Sequence, residues 1–120
     1  MKFTETSYSN RINILAFTDH YVAVPVMVDS TDAAIVVNVD GKKILPAGTI
    51  IGGGFLSSLT AKATTQNDAD AEGVLLYDVD VTYGDAPGAA VIHGFISKAK
   101  LPAAPDVAAV TALRGIKFLV

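Results

Sequence analysis

The chain has 120 residues, no cysteine and a formal net charge of −3, from 12 acidic against 9 basic residues. The length fits one domain with a buried core, and an apolar content of 51% excludes a chain that is disordered throughout. The lack of cysteine excludes disulfides and thiolate metal sites, and the weak negative charge argues against nucleic acid as the main partner. No apolar run approaches the roughly 20 residues that span a bilayer, so we expect no membrane partner.

The first 19 residues are predicted to form a flexible N-terminal arm, followed by a single β-rich domain over residues 20–120. Alternation of Ile12, Ile14 and Ala16 allows a short strand near the end of the arm. The N-terminus, Met1–Thr6, is polar and lacks the apolar segment typical of a secretory signal, which favours synthesis in the cytoplasm. The arm carries basic and aromatic side chains that we expect to contact a partner surface: Lys2, Phe3, Tyr8 and Arg11. The two basic residues are equally compatible with plain solvated charges.

The first half of the domain predicts a strand and then a hairpin. Tyr21–Val28 is β-branched or apolar at nearly every position, and Pro25 places it at a sheet edge because proline lacks the N–H that an inner strand needs. Ala33–Val39 and Lys42–Leu45 are predicted strands on either side of Asp40–Gly41, a dipeptide typical of tight hairpin turns.

A second hairpin is predicted over residues 71–95. An apolar run at Val74–Leu76 leads into alternating side chains, and the turn Tyr83–Gly88 is rich in residues that reverse a chain. The returning strand is apolar from Ala89 to Ile96. The alternation puts Tyr77, Val79 and Val81 on one face, and Asp78, Asp80 and Thr82 on the other.

The C-terminal region predicts one short helix and a last strand. Asp106 is suited to cap a helix over Val107–Leu113, Gly115 fits the end of that helix, and Ile116–Val120 is strand-like. The predicted fold is therefore mostly β, a small barrel or sandwich of short strands with one short helix near the C-terminus.

Three patterns offer candidate chemistry, and each has a simpler structural interpretation. Asp78, Asp80 and His93 would form a divalent-metal or acid–base site if the two strands brought them together, but alternating aspartates more often form the wet face of a sheet. Gly52–Gly54 suggests a phosphate loop, yet the Lys-Ser/Thr pair of such loops is missing, so we expect these glycines to let a loop lie close against another surface. Ser57 and Ser58 lack the context of a catalytic nucleophile. We expect His20 to be exposed at a strand start and His93 to be a hydrogen-bonded structural residue, with no catalytic, cofactor-binding or metal-binding residue in the chain.

Several of these strings together resemble tailed-phage head fibre and head decoration proteins. The resemblance rests on the Gly-Val-Leu-Leu-x-Asp-Val strand at residues 73–79, the Gly-Asp turn at 84–85 and the Val-x-His-Gly strand at 91–94. Ile44–Thr49 and the C-terminal order of a Leu-Pro segment, a helix and a strand add to it. The likeness covers about residues 22–120 and is similar in order to the small trimeric decoration proteins of lambdoid capsids.

The resemblance implies a structural virion protein, not an enzyme, that binds the major capsid protein on the outer surface of a phage head and stabilises it. It also implies a homotrimer. Apolar strings that exceed the need of a small core are candidates for the self-association face: Tyr21–Val28, Ile50–Ile51 and Phe118–Val120. The alternative is a host-surface or carbohydrate-binding module at the base of a fibre, although the chain has no tryptophan to stack on sugars.

Overall fold

A computed structural model describes residues 13–17, 19–58 and 60–119. They form a mostly β fold with one short α-helix near the C-terminus, which confirms the predicted fold class; the strands make a sandwich-like arrangement and no closed barrel. The elements are β1 (Val22–Val28), β2 (Ile44–Leu45), β3 (Ile50–Gly52), β4 (Thr64–Thr65), β5 (Ala71–Leu75), β6 (Val79–Asp80), β7 (Ala86–Ser97), a 3-10 turn (Lys98–Lys100), α1 (Val107–Ala112) and β8 (Ile116–Leu119).

The long strand β7 organises the main sheet. Its first part pairs antiparallel with β1, from Val28 opposite Ala86 to Val22 opposite His93, and its middle pairs antiparallel with β5. Its last four residues pair in parallel with β8, while residues 14–16 pair with the same stretch from its other side. The main sheet therefore runs in the order β1-β7-β5-β3-β4 with β8 beside β7, and the small pair β2-β6 stands apart.

Both faces of the central strands are buried, each in its own apolar cluster. Neighbouring residues point to opposite faces: Ile50, Val74 and Val91 enter one cluster, while the residues next to them, Ile51, Leu75 and Ala90, enter the other. The first cluster lies under α1 and includes Ile14, Leu113 and Ile116; the second lies between β1 and the β2-β6 pair. Runs of consecutive apolar residues are what a strand covered on both faces requires.

The helix α1 follows the prediction closely. Asp106 is its N-cap and accepts a hydrogen bond from the Ala108 N–H at 3.3 Å, and the helix packs on the core through the fully buried Ala109. Gly115 lies in the turn just after the helix, near the predicted helix end, and its φ is not positive. The glycine is required there because a Cβ would lie 2.5 Å from the Ile92 carbonyl oxygen.

The first predicted hairpin has its turn and part of its second strand, because Ile44–Leu45 forms β2 and pairs with β6. Gly41 adopts φ +76°, and the Asn38 N–H donates to the Lys42 carbonyl at 2.8 Å, as the turn prediction requires. Ala33–Val39 is not a strand, and only Val37 forms a bridge, to Lys43. Local bonds replace the ladder: the Asn38 side chain accepts from the N–H groups of Asp40 and Lys42.

The second predicted hairpin divides between two sheets. β5 and β7 pair as expected, but the chain leaves the main sheet after Leu75 and continues as β6, which pairs with β2. Val79 and Val81 are buried as the alternation predicts, whereas Tyr77 in the crossing segment is 53% exposed. The crossing is held by Asp78, whose carboxylate accepts the Ala47 N–H at 2.7 Å.

Part of the predicted arm belongs to the core. Ile14 is fully buried, and its carbonyl accepts the Ser97 N–H at 2.8 Å. The Ala16 N–H donates to the Phe95 carbonyl at 2.8 Å. The short strand allowed by the alternation is thus present as a single bridge at Leu15, and the domain begins earlier than residue 20.

Burial on both faces predicts that neighbouring residues of β3 are equally sensitive to truncation. Ile50→Ala and Ile51→Ala should each lower the free energy of unfolding by about 2–5 kcal/mol, because each leaves a cavity in a different cluster. Val39→Ala, at a fully exposed position, is the control and should change it by less than about 0.5 kcal/mol. Urea denaturation of the three variants measures this, and a harmless result at either isoleucine would mean that one face of the sheet is open.

Candidate functional surfaces

The residues Asp78, Asp80 and His93 do not form a site. The Asp78 carboxylate accepts the Ala47 N–H. The Asp80 carboxylate accepts the hydroxyl and the N–H of Thr82. These two hydrogen bonds lower the pKa of Asp80, and the bond from the hydroxyl has the larger effect. His93 contacts His20 instead. Among residues 13–17, 19–58 and 60–119, no three His, Cys, Asp or Glu side chains gather in a way that could hold a metal ion. The interpretation of these aspartates as structural groups is the better one.

The glycine-rich loop does bind an anion, but the anion is a side chain of the protein. The Glu72 carboxylate on β5 accepts the N–H groups of Gly54, of Phe55 at 3.1 Å and of Leu56 at 3.2 Å. Gly53 and Gly54 have positive φ, which turns successive N–H groups toward one point. These hydrogen bonds hold the loop against β5, as its predicted role in close packing requires. The N–H groups that could have bound a phosphate are occupied by the Glu72 carboxylate.

Seven other acidic side chains also bind backbone N–H groups. Each accepts at least one such bond, usually within its own turn, and the set is Asp29, Asp32, Asp68, Asp78, Asp80, Asp85 and Asp106. The excess of acids in the composition is thus used to close the turns between short strands. No acidic patch for steering a ligand needs to be invoked.

Asp85 combines a backbone hydrogen bond with two side-chain contacts and ties three connections together. Its carboxylate lies 2.6 Å from Lys62 Nζ and accepts from the N–H and hydroxyl of Ser30 at 2.8 and 2.9 Å. The hydrogen bond from Lys62, followed by those from Ser30, lowers the pKa of Asp85 from 3.8 to about 2. Lys43 Nζ also donates to the Ser30 carbonyl. This network joins the end of β1 to the start of β7, and no local sequence pattern signalled it.

The two histidines, treated as isolated in the sequence, lie together. Their Nε2 atoms are 3.2 Å apart, and both side chains are exposed. Ser58 pairs with the Thr60 hydroxyl at 3.1 Å, and neither histidine bonds a serine in the part of the chain that the structure describes. A hydrolytic arrangement is therefore absent from those residues.

The apolar strings expected to be in excess are distributed differently in the structure. Ile50 and Ile51 are buried at 4% and 0% exposure, so their assignment to a self-association face is wrong. In β1, Val26 and Val28 are buried, while outward positions such as Met27 are exposed. Phe118 and Leu119 are half-buried, and Val120 lies outside the described residues.

The loop after β1 carries the largest group of strongly exposed aliphatic side chains among the described residues. Val36, Val37 and Val39 are 75%, 61% and 102% exposed, and they precede or enter the turn at Gly41. Val107 at the start of α1 is 81% exposed. Three exposed valines within four positions form the valine loop, the apolar surface most available to a partner.

The partner-binding residues predicted in the arm, Lys2, Phe3, Tyr8 and Arg11, lie outside the described residues. No protein-family model and no curated protein matches this chain. Neither helical segment of the described residues has the length and apolarity needed to cross a membrane.

The Asp85 network predicts an acid-sensitive contribution to stability. The pKa of Asp85 is lower in the folded protein than the roughly 3.9 of an unfolded chain, so its contribution is complete above about pH 5 and is lost as the pH falls toward 2. The difference in urea midpoint between the natural protein and Asp85→Asn should therefore be largest at neutral pH and close to zero near pH 2.

Asp40→Asn is the matched control. It makes the same change in net charge at an exposed carboxylate that accepts no hydrogen bond among the described residues. A midpoint difference for Asp85→Asn that stayed constant over the whole pH series would contradict the assigned network.

Proposed function

We propose that this protein is a non-enzymatic structural component of a phage virion, which binds the major capsid protein on the outer surface of the head and stabilises or decorates it. The proposal rests on the resemblance of residues 73–79, 84–85 and 91–94 to head decoration proteins. It is supported by an exposed apolar loop on a small β scaffold.

The observation that favours protein binding most is the valine loop. Val36, Val37 and Val39 leave apolar surface in water that burial against a partner would remove, at roughly 25 cal/mol per Å². The loop is held at its base by the Asn38 and Asp32 side chains, so it enters an interface with part of its conformational cost already met. We assign the valine loop to contacts between three copies, and the arm to the capsid.

Many weak contacts are sufficient for this role. A trimer that touches the shell through three arms gains from effective concentration, so that each arm need contribute only modest affinity. Lys2 and Arg11 suit an acidic capsid surface, and an extended arm suits addition to an exposed sheet edge by main-chain hydrogen bonds. The stabilising effect is mechanical, since these contacts must break before the shell bursts.

A host-surface or carbohydrate-binding module is the second candidate. It is favoured by Tyr83, which is 99% exposed in the turn before β7, and by Tyr77, which is 53% exposed in the crossing between sheets. Aromatic rings of this kind can stack on sugars, but the two residues serve a protein interface equally well.

Removal of the arm should abolish binding to shells of the phage that carries this gene. Deleting residues 1–12 keeps Asn13, whose side chain accepts the Leu15 N–H at 3.1 Å, so the domain should stay folded. Replacing Lys2, Phe3, Tyr8 and Arg11 together by alanine should have the same effect, while Ser7→Ala with Ser9→Ala should not. Co-sedimentation with undecorated shells measures this; full binding by the shortened chain would exclude the arm from the interface.

The valine loop should control self-association. Changing Val36, Val37 and Val39 together to serine should convert a trimer to a monomer, because the apolar area that drives association is lost. Val107→Ser is the matched control, as it removes an equally exposed valine from α1. Sedimentation velocity at high and low concentration, with and without shells, gives the oligomeric state. A chain that stays monomeric and binds shells singly would contradict the trimer.

A further inference from the structure

His20 and His93 form the one pair of imidazoles that this chain can make, since it contains two histidines. Their Nε2 atoms lie 3.2 Å apart. The rings are nearly perpendicular, at 79°, with centroids separated by 5.2 Å. Both rings are exposed, so burial does not force them together.

The backbone brings the two rings together at a defined place. His93 lies on β7 opposite Val22, where the register between β1 and β7 shifts at a bulge. Next to it, Gly94 has φ +150°, and a Cβ there would lie 3.1 Å from the Cβ of Tyr21 and 3.5 Å from the His20 carbonyl oxygen. A glycine at this position therefore lets the His20–Tyr21 backbone cross close to β7, which sets the distance between the rings.

We propose that His20 and His93 form a two-histidine site for a divalent transition-metal ion, with Zn²⁺ as the best fit. Two imidazole nitrogens bound to one tetrahedral zinc at about 2.05 Å lie about 3.3 Å apart, with ring centroids about 5.2 Å apart. Both values agree with the distances in the pair, in which the two Nε2 atoms share a hydrogen bond when no metal is bound. Imidazole nitrogen selects zinc, copper or nickel, whereas calcium and magnesium take oxygen ligands.

The remaining coordination positions are open to solvent. Among the described residues no third His, Asp or Glu joins the pair, so water completes the shell and the affinity falls below that of a closed four-ligand site. The site differs from the one considered in the sequence, because His93 acts with His20 and not with the aspartates Asp78 and Asp80. It is independent of the proposed capsid role.

Zinc titration of the full-length protein tests the site. In a non-coordinating buffer at about pH 7.5, calorimetry should give one zinc per chain. In histidine side-chain NMR spectra, the Nε2 resonances of both residues should shift together over the same titration.

The variants His20→Gln and His93→Gln should each weaken binding by at least about tenfold, because one nitrogen ligand is lost. Asp78→Asn is the control for carboxylate binding and should leave the titration unchanged, and thermal unfolding without zinc checks that each variant is folded. No saturable binding, or zinc binding by both histidine variants as tight as that of the natural protein, would overturn the proposal; so would NMR shifts confined to one histidine.

Discussion

The fold depends on one strand, β7, whose central residues Ala90 and Val91 are fully buried. β7 has hydrogen-bonded neighbours on both edges, and its alternate side chains enter two separate apolar clusters. Because it meets β1, β5 and β8, a change in its register would expose apolar residues on both faces at once. The same crowding explains two glycines beside β7. A Cβ at Gly73 would lie 3.0 Å from the Val91 carbonyl oxygen, and a Cβ at Gly115 would lie 2.5 Å from the Ile92 carbonyl oxygen.

Short strands create a second requirement, which the acidic residues meet. A fold with many turns has many N–H groups outside any ladder, and each of them needs an acceptor. Asp29 and Asp32 supply acceptors at the turn after β1, Glu72 supplies them to the glycine-rich loop, and Asp85 joins two ends of the sheet. Accepting these N–H groups is therefore the structural role of most acidic side chains among the described residues.

The sequence predicted those features that depend on neighbouring residues. Pro25 on the edge strand, the Gly41 turn and the Asp106 cap are local, and the structure confirms them. The crossing of the chain from β5 to β6 was not predictable, because alternation continues through Leu76–Val81 whichever sheet receives the strand. Ala33–Val39 was predicted as a strand from its valines, but the short polar side chains around them satisfy the backbone locally.

The candidate sites show the same division between local and distant contacts. The glycine run was correctly taken as a packing loop, while its partner Glu72 is far along the chain. The His20–His93 contact joins residues that only the fold brings together, so the sequence presented them as two isolated side chains. Burial of both Ile50 and Ile51 was missed because a two-residue apolar run is also what an interface strand would show.

The proposed virion role accounts for a compact scaffold with one exposed apolar loop and a polar, partly aromatic arm. The most direct test is a cryo-electron microscopy reconstruction of undecorated heads mixed with the purified protein. The account predicts added density outside the shell at three-fold or quasi-three-fold positions, shaped like three copies of this domain. An outer surface unchanged at saturating protein would contradict it.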